Sequence, residues 1–298
     1  MRGTARNWRS VVNRLLGQPS FEIAPGQDRD LSPIFDQLHP DTQLFVANIA
    51  GKPLNALTET LERMAPRGFD LVPHIAARNF ESKNSFADFS EVLGRLNVQS
   101  AFVVGGGASR AEGPYNDAES LLNEIALLAD AGIENIGFAG YPEGHPSISN
   151  VELNEALAIK VQIAREAGMK PFILTQFCFE AEPIIAWERK SRELLVRPVP
   201  VVIGMPGVTS IRQLLRYAKI CGVQASAAFL TGHAATMITM LRQWSPNKLV
   251  EDVSTAVAED LESRIERFHF FPFGALDRTV SWVSDMVEIT NAQNRSAN

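Results

Sequence analysis

The sequence predicts an α/β fold, a (β/α)8 TIM barrel carried by a single domain over residues 1–298. Two observations lead to this class. Short runs rich in branched and aromatic residues alternate with stretches of helical periodicity, and runs that are apolar on both faces are typical of a parallel sheet covered by helices. Eight such units in about 250 residues is the count of a closed barrel. The first run, SFEIAPGQD, has no GxGxxG, which disfavours an open dinucleotide-binding sheet.

The N-terminal segment, residues 1–19, predicts a helical extension that lies across one end of the domain. The segment contains four arginines and no acidic residue, so an organelle transit peptide is the alternative interpretation. The apolar stripe of the predicted helix consists of Trp8, Val11, Val12, Leu15 and Leu16.

The eight predicted strands follow in order along the chain. The runs are SFEIAP (20–25), LFVANI (44–49), DLVPHIA (70–76), SAFVVGG (100–106), NIGFAG (135–140), PFILTQF (171–177), PVVIGMPG (200–207) and FHFFPFGAL (268–276). The predicted helices between them include LNALTETLERMA, DAESLLNEIALLADAG, NEALAIKVQIAREAG and IRQLLRYAKICG, and the last three end in a glycine, a common helix stop. The eighth run begins 68 residues after the seventh, so extra helices are expected between strands 7 and 8.

Composition narrows the function classes. The chain has 28 basic and 34 acidic side chains and no block of lysine or arginine, which argues against a nucleic-acid partner. No apolar run is long enough to span a membrane, and the two cysteines, Cys178 and Cys221, have no CxxC spacing. We therefore expect a soluble cytoplasmic protein that acts on small molecules, with no disulfide framework.

The barrel fold predicts where the functional side chains lie, because barrel active sites form at the C-terminal ends of the strands. Glu22 is an acid inside the first apolar run. Burial raises the pKa of a carboxyl group, so Glu22 is a candidate general acid; a salt bridge to a neighbouring strand end is the alternative.

The loop FAGYPEGHP after strand 5 carries Tyr141, Glu143 and His145, and Pro142 and Pro146 stiffen it. Such a rigid polar loop suits a planar cofactor or a phosphate, and a proline-braced turn is the alternative. His74 and His145 could also hold a metal ion, but no convincing third ligand accompanies them, so no metal site is predicted.

Two further strand ends carry candidate residues. The run GGGAS after strand 4 lacks the lysine and hydroxyl residue of a P-loop, and tight turning is the commoner use of such glycines. Gln176, at the end of PFILTQF, can donate and accept hydrogen bonds, which suits the edge of a pterin or flavin ring; a glutamine that caps the backbone is the alternative.

Taken together, SFEIAP, AGYPEGHP, ILTQFCF and IGMPGV resemble the methylenetetrahydrofolate reductase family over roughly residues 18–280. The resemblance implies interconversion of 5,10-methylenetetrahydrofolate and 5-methyltetrahydrofolate with NADH or NADPH, and FAD as the hydride carrier. It implies that Glu22 is the general acid, that Gln176 contacts the folate pterin, and that Phe229 stacks with nicotinamide or folate. The positions that match flavin contacts are His74, Ala139, Tyr141, His145, Tyr115 and Lys160.

Two motifs depart from the family pattern. The family's LRGD after strand 4 is replaced by Val104 and three glycines, and its HLT after strand 3 is replaced by His74, Ile75 and Ala76. Arg78 follows and could supply a different anion contact. Two alternatives result: a rearranged set of residues that includes Arg110 holds the flavin, or hydride passes directly from nicotinamide to folate without flavin. A folate- or flavin-binding barrel in methyl transfer is the alternative function, a metal-assisted lyase or hydrolase is a third, and homo-oligomer formation stays open.

Overall fold

Eight long parallel strands form one closed barrel in the computed structural model, which describes residues 8–29, 31–223 and 243–297. Their hydrogen-bonded order is β1-β10-β7-β6-β5-β4-β3-β2, and a separate antiparallel pair joins β8 to β9. The strands are β1 (Ser20–Ile23), β2 (Gln43–Val46), β3 (Asp70–Ala76), β4 (Ser100–Val104), β5 (Asn135–Gly140), β6 (Lys170–Thr175), β7 (Val201–Pro206), β8 (Thr209–Ser210), β9 (Gln243–Trp244) and β10 (Ile265–Phe271).

Helices follow the barrel strands, as the alternating pattern predicts, and the predicted (β/α)8 class is confirmed. The described helices are α1 (Trp8–Leu16), α2 (Ser32–Phe35), α3 (Leu54–Met64), α4 (Lys83–Arg95), α5 (Ala118–Leu122), α6 (Ile125–Asp130), α7 (Asn150–Glu166), α8 (Ala181–Leu194), α9 (Ile211–Ile220), α10 (Asn247–Glu259) and α11 (Leu276–Ala297). None of these helices has the length and apolar character needed to cross a membrane.

The chain divides into two compact units. Unit 1 comprises Met1–Ser20, Tyr141–Leu153 and Thr175–Asn298, and unit 2 comprises Phe21–Gly140 and Asn154–Leu174. The single domain predicted over residues 1–298 stays a prediction.

Unit 2 has an aromatic interior. The rings of Phe45, Phe102 and Phe172 form an interior aromatic cluster, with the centroid of Phe45 lying 5.8 Å from that of Phe102 and 6.3 Å from that of Phe172. The cluster requires glycine at position 137 in β5. A Cβ atom there would lie 2.3 Å from the Phe172 ring and 2.7 Å from the Phe102 ring. The cluster provides an apolar environment for any polar group beside it.

In unit 1, helix α1 packs against α10, α11 and β10, as the predicted apolar stripe requires. Val11, Val12, Leu15 and Leu16 are buried, whereas Trp8 is half-buried. On its polar side α1 is tied to α11, since Asn13 donates to Asn291 (2.8 Å) and Arg9 to Gln293 (3.0 Å).

Two details differ from the sequence-based expectations, and one expectation is met for the described residues. The eighth barrel strand begins at Ile265, before the predicted run. The stretch predicted as one helix over 117–132 is two, because the Asn123 amide donates to the carbonyl of Ser120 and the backbone at Glu124 leaves helical geometry. Of the extra helices expected between strands 7 and 8, α10 is observed, while the SAAFLTGHAATMITML part of the gap lies outside the described residues.

Candidate active site

The acid predicted in the first strand lies beside a histidine. Glu22 in β1 and His74 in β3 point to the same layer of the barrel interior, where alternate strands contribute to one layer. Their Oε2 and Nε2 atoms are 3.4 Å apart, and the side chains are 25% and 13% exposed. The His74 ring lies against Phe102 (centroids 4.9 Å) and Phe45 (6.0 Å), so the pair borders the interior aromatic cluster.

Burial sets the protonation states of this pair. Desolvation raises the pKa of Glu22 to about 8 and lowers the pKa of His74 to about 3, because the charged form of each group is costly beside apolar rings. Near neutral pH Glu22 is therefore a protonated carboxyl group and His74 a neutral imidazole. A neutral carboxyl group at pH 7 is what a general acid requires.

The loop after β5 forms part of a cleft in unit 1. This cleft, of about 320 Å³ counting its open side, is lined by Tyr141, Glu143, Gly144, His145, Gln176, Phe177, Cys178, Cys221, Gly222 and Val223. The structure therefore brings together three residues predicted from sequence, Tyr141, His145 and Gln176. Glu22 and His74 belong to unit 2.

A tight turn fixes the shape of the loop. The Gly144 N–H donates to the Tyr141 carbonyl (3.0 Å), and Gly144 has φ +79°, a conformation that side chains disfavour. A Cβ at position 144 would also lie 3.0 Å from Asn150 Oδ1. The Tyr141 and His145 rings meet edge to face (5.4 Å), and burial raises the pKa of Tyr141, which keeps the phenol protonated. This turn holds Glu143 in a defined position in the cleft.

Gln176 caps the backbone, which is the alternative considered from the sequence, and its side chain also lines the cleft. Its Oε1 accepts a hydrogen bond from the Phe177 N–H (3.0 Å), so the oxygen caps the backbone while the side chain lines the cleft. Two residues later, Cys178 is buried and its thiol donates to the Gln176 carbonyl at 3.7 Å. Burial and, second, the charge of Glu143 raise the pKa of the Cys178 thiol, which makes it a poor nucleophile.

Several cleft residues were not predicted from the sequence. Cys221, Gly222 and Val223 follow α9, and a Cβ at Gly222 would lie 2.7 Å from Pro146, so the end of α9 abuts the β5 loop. The glycine at position 222 predicted the end of α9. It did not predict the contact with Pro146, because that contact depends on tertiary packing. Cys178 and Cys221 are thiols outside any disulfide bond, and among the described residues no group of three or more His, Cys, Asp or Glu side chains is placed to hold a metal ion.

The positions that match flavin contacts in unit 2 are engaged in contacts within the protein. Tyr115 is 2% exposed and packs on Phe86 (5.9 Å), and its hydroxyl has no hydrogen-bond partner among the described residues. Lys160 lies with its ammonium 5.7 Å above the Phe138 ring, close to the carboxylates of Glu119 and Asp117. Ala139 is half-buried, and Phe229 lies outside the described residues.

The loop after β4 is held by Arg78. Its guanidinium donates from Nε to the Asn116 carbonyl (2.6 Å) and from Nη1 to the Ala108 carbonyl (3.2 Å), while its backbone N–H donates to Gly105 and its carbonyl accepts from Glu112. Arg78 therefore holds the loop from 105 to 116 closed. The guanidinium of Arg78 is thus engaged with backbone carbonyls, whereas Arg110 in the same loop is exposed, and FAD binding stays a prediction of the family resemblance.

Comparison with known proteins identifies one family. The model of the methylenetetrahydrofolate reductase family matches residues 106–280. This span includes the β5 loop and Gln176 but not Glu22 or His74.

Comparison with solved structures finds matches at low sequence identity. An uncharacterized protein from Clostridium thermocellum that binds two copies of 5-methyl-5,6,7,8-tetrahydrofolic acid superposes with a TM-score of 0.55 at 12% identity, covering 94% of this chain and 99% of that one. Dihydropteroate synthase from Thermus thermophilus (TM-score 0.45, 12% identity, 90% of this chain and 92% of that one) is more distant. The carboxyl transferase domain of Rhizobium etli pyruvate carboxylase scores 0.49 at 10% identity, covering 94% of this chain and 47% of that one. The latter two carry no functional argument.

Proposed function

Because the chain belongs to the methylenetetrahydrofolate reductase family, we propose that it interconverts 5,10-methylenetetrahydrofolate and 5-methyltetrahydrofolate, with NADH or NADPH as the hydride source. The observation that carries the proposal is the position of Glu22, whose Oε2 lies 3.4 Å from His74 Nε2 beside the interior aromatic cluster, where burial raises the pKa of the carboxyl group to about 8. The binding of 5-methyltetrahydrofolic acid by the structural neighbour from Clostridium thermocellum supports a reduced folate as the ligand.

The reaction requires one hydride and one proton. Reduction of the methylene bridge breaks one carbon–nitrogen bond, adds hydride to the carbon and leaves a proton on the released nitrogen. With a pKa of about 8, Glu22 holds that proton at neutral pH and donates it as the bond opens; in the oxidative direction its carboxylate accepts the proton. Neutral His74 lies 3.4 Å from Glu22 and adds no cationic charge that would favour the carboxylate.

FAD stays a prediction of the family resemblance, and no step of this proposal is routed through it. When bound, a flavin carries hydride between nicotinamide and folate. Direct transfer from nicotinamide to folate is the alternative route, and the engagement of Arg78 with backbone carbonyls together with the burial of Tyr115 supports it.

The test is methylenetetrahydrofolate-dependent oxidation of NADH and NADPH by protein freed of bound small molecules, with and without added FAD. We expect turnover, and we expect Glu22→Gln to lower it by a factor of about 100 or more, because general acids contribute about 10²–10⁴. Glu193→Gln, the same change at an exposed position on α8, is the matched control. Wild-type turnover in Glu22→Gln would remove the role assigned to Glu22.

The second candidate function is folate binding in a methyl-transfer reaction without reduction. The observation that favours it is the glycine loop after β4, which Arg78 closes and which lacks the family's arginine and aspartate. Binding of 5-methyltetrahydrofolate by a protein that consumes neither NADH nor NADPH, under both FAD conditions, would select this function over the reductase.

A further inference from the structure

The turn that follows β10 contains a residue that its backbone conformation disfavours. The Ala275 N–H donates to the Pro272 carbonyl (3.0 Å), and the two residues between them both have positive φ, Phe273 at +51° and Gly274 at +86°. Turns with two such central residues are dominated by glycine, asparagine and aspartate, because a bulky side chain is strained in the left-handed region. The backbone therefore does not explain a phenylalanine at this position, and its ring must.

The Phe273 ring packs against three other aromatic rings. It is stacked on Tyr217 of α9, with centroids 4.3 Å apart and planes at 20°, and it is nearly parallel to Phe271 (6.2 Å, 16°). Phe177 meets it edge to face, with centroids 5.1 Å apart. We call the space that the Phe273 ring fills the aromatic slot. Tyr217, Phe271 and Phe273 are half-buried, so the aromatic slot is reached from solvent.

The aromatic slot adjoins the cleft of the candidate active site. Phe177, which bounds the slot, also lines the cleft, and its backbone N–H donates to the side-chain oxygen of Gln176. The slot has the size of one six-membered ring, because a phenyl ring fills it. Its walls are aromatic rings, which favour another planar ring in a stacked or edge-to-face arrangement.

We propose that Phe273 is a displaceable plug, which moves out of the aromatic slot when a planar six-membered ring of a ligand stacks on Tyr217 in its place. The inference rests on the proposed function, whose ligands carry two such rings: the p-aminobenzoyl group of the folate and the nicotinamide of NADH or NADPH. The bicyclic pterin is larger than the ring that it would have to replace.

Backbone strain makes this exchange favourable. The ring contacts stabilise the plugged state, whereas the left-handed conformation of Phe273 opposes it. When Phe273 leaves, its backbone relaxes and the incoming ring regains the stacking contacts. The exchange breaks the hydrogen bond within the turn and the one that the Gln213 amide donates to the Phe273 carbonyl (3.3 Å).

The test is calorimetric titration of the full chain with 5-methyltetrahydrofolate and, separately, with NADH. In Phe273→Gly the positive φ is unstrained and the plug is absent. We expect the Kd of the ligand that enters the slot to fall about 3- to 30-fold, which is the surplus of ring stacking over backbone strain. Asn97→Gly is the matched control, because Asn97 also has a positive φ (+52°) but follows α4, and both Kd values should stay unchanged.

Two further measurements sharpen this test. If the p-aminobenzoyl ring enters the slot, 6-methyltetrahydropterin, which lacks that ring, should bind wild type and Phe273→Gly equally. In the wild-type protein, hydrogen exchange of the Ala275 N–H should accelerate when the ligand binds, because the turn opens. A ligand that packs over a closed turn would slow that exchange. Thermal unfolding checks that each variant is folded.

The outcomes separate this inference from the proposed function. A lower Kd for either ligand in Phe273→Gly supports the plug, and the ligand that gains identifies the ring. Unchanged Kd values for both ligands, or slower exchange at Ala275 on binding, would overturn the plug and leave the proposed function standing. Wild-type and Phe273→Gly proteins that bind neither ligand would overturn both.

Discussion

At the scale of single residues, Glu22 is protonated at neutral pH while the imidazole of its neighbour His74 is uncharged. In water a carboxyl group loses its proton well before an imidazolium does, and here the order is reversed, because burial disfavours both charged forms. The pair is therefore neutral over the range in which most enzymes work. A substrate that opens at a nitrogen atom meets a proton donor and not a carboxylate.

The first prediction at this scale concerns His74. With a folded pKa of about 3, against a usual value near 6.5, its imidazole should stay neutral from pH 5 to pH 7. Carbon-13 NMR of the histidine rings checks this, and the signal missing in His74→Gln identifies the residue. A titration midpoint near 6.5 for that signal would contradict the buried environment described for the pair.

Single residues were predicted unevenly from the sequence. Glu22 and Gln176 stand out in the sequence because polar residues in buried apolar runs are costly unless they have a role, and the roles given to them stay predictions. The contact between Glu22 and His74 could not, since it depends on barrel closure bringing β1 and β3 into one layer. The Gly144 turn and the cap that Gln176 provides at the Phe177 N–H could not be predicted either, because they depend on backbone geometry that the spacing does not show.

At the scale of elements, Arg78 acts as a clamp between the end of β3 and the loop after β4. Its side chain and backbone together bond to Gly105, Ala108, Glu112 and Asn116. From the sequence, Arg78 was free to contact an anion; in the structure its guanidinium holds backbone carbonyls. The hydrogen bonds of Arg78 therefore hold the backbone of the glycine loop in place.

Arg78→Met should loosen this loop while keeping the aliphatic packing of the side chain. Loss of two hydrogen bonds from a charged donor should cost about 1–3 kcal/mol locally. Hydrogen exchange of the amides in residues 105–116 should accelerate accordingly. Arg110→Met is the matched control, because Arg110 is exposed in the same loop. Equal exchange in the two variants would show that the clamp does not order the loop.

Elements were predicted best where burial leaves a clear pattern. The eight barrel strands are continuous apolar runs because helices cover one face and the barrel interior the other. The β8–β9 pair was missed, since two-residue strands leave no periodicity. The break between α5 and α6 was missed because it depends on the Asn123 side chain competing for a backbone carbonyl.

At the scale of the whole molecule, the buried acid links catalysis to stability. In the folded protein Glu22 keeps its proton up to about pH 8, whereas in the unfolded chain it releases the proton near pH 4.5. Unfolding therefore releases a proton between these values, and the contribution of Glu22 to stability falls as the pH rises through this window. The buried carboxyl group of Glu22 therefore lowers the free energy of unfolding as the pH rises from about 4.5 to about 8.

Glu22→Gln should remove this cost. The free energy of unfolding of the variant, measured with urea, should exceed that of the wild type by an amount that grows from pH 5 to pH 9 and reaches the order of a few kcal/mol. Glu193→Gln should follow the wild-type pH dependence. A difference between Glu22→Gln and wild type that is constant with pH would mean that Glu22 ionises normally in the folded protein.

The packing of α1 has a consequence for how the chain is made. Its apolar stripe emerges early during synthesis, but α10 and α11, which cover that stripe, begin only at Asn247 and Leu276. At about 5–20 residues per second, the nascent chain carries Val11, Val12, Leu15 and Leu16 uncovered for roughly 10–50 seconds. All of unit 2 leaves the ribosome within that interval. Until α10 and α11 are made, the apolar stripe of α1 is therefore a surface that a chaperone could bind.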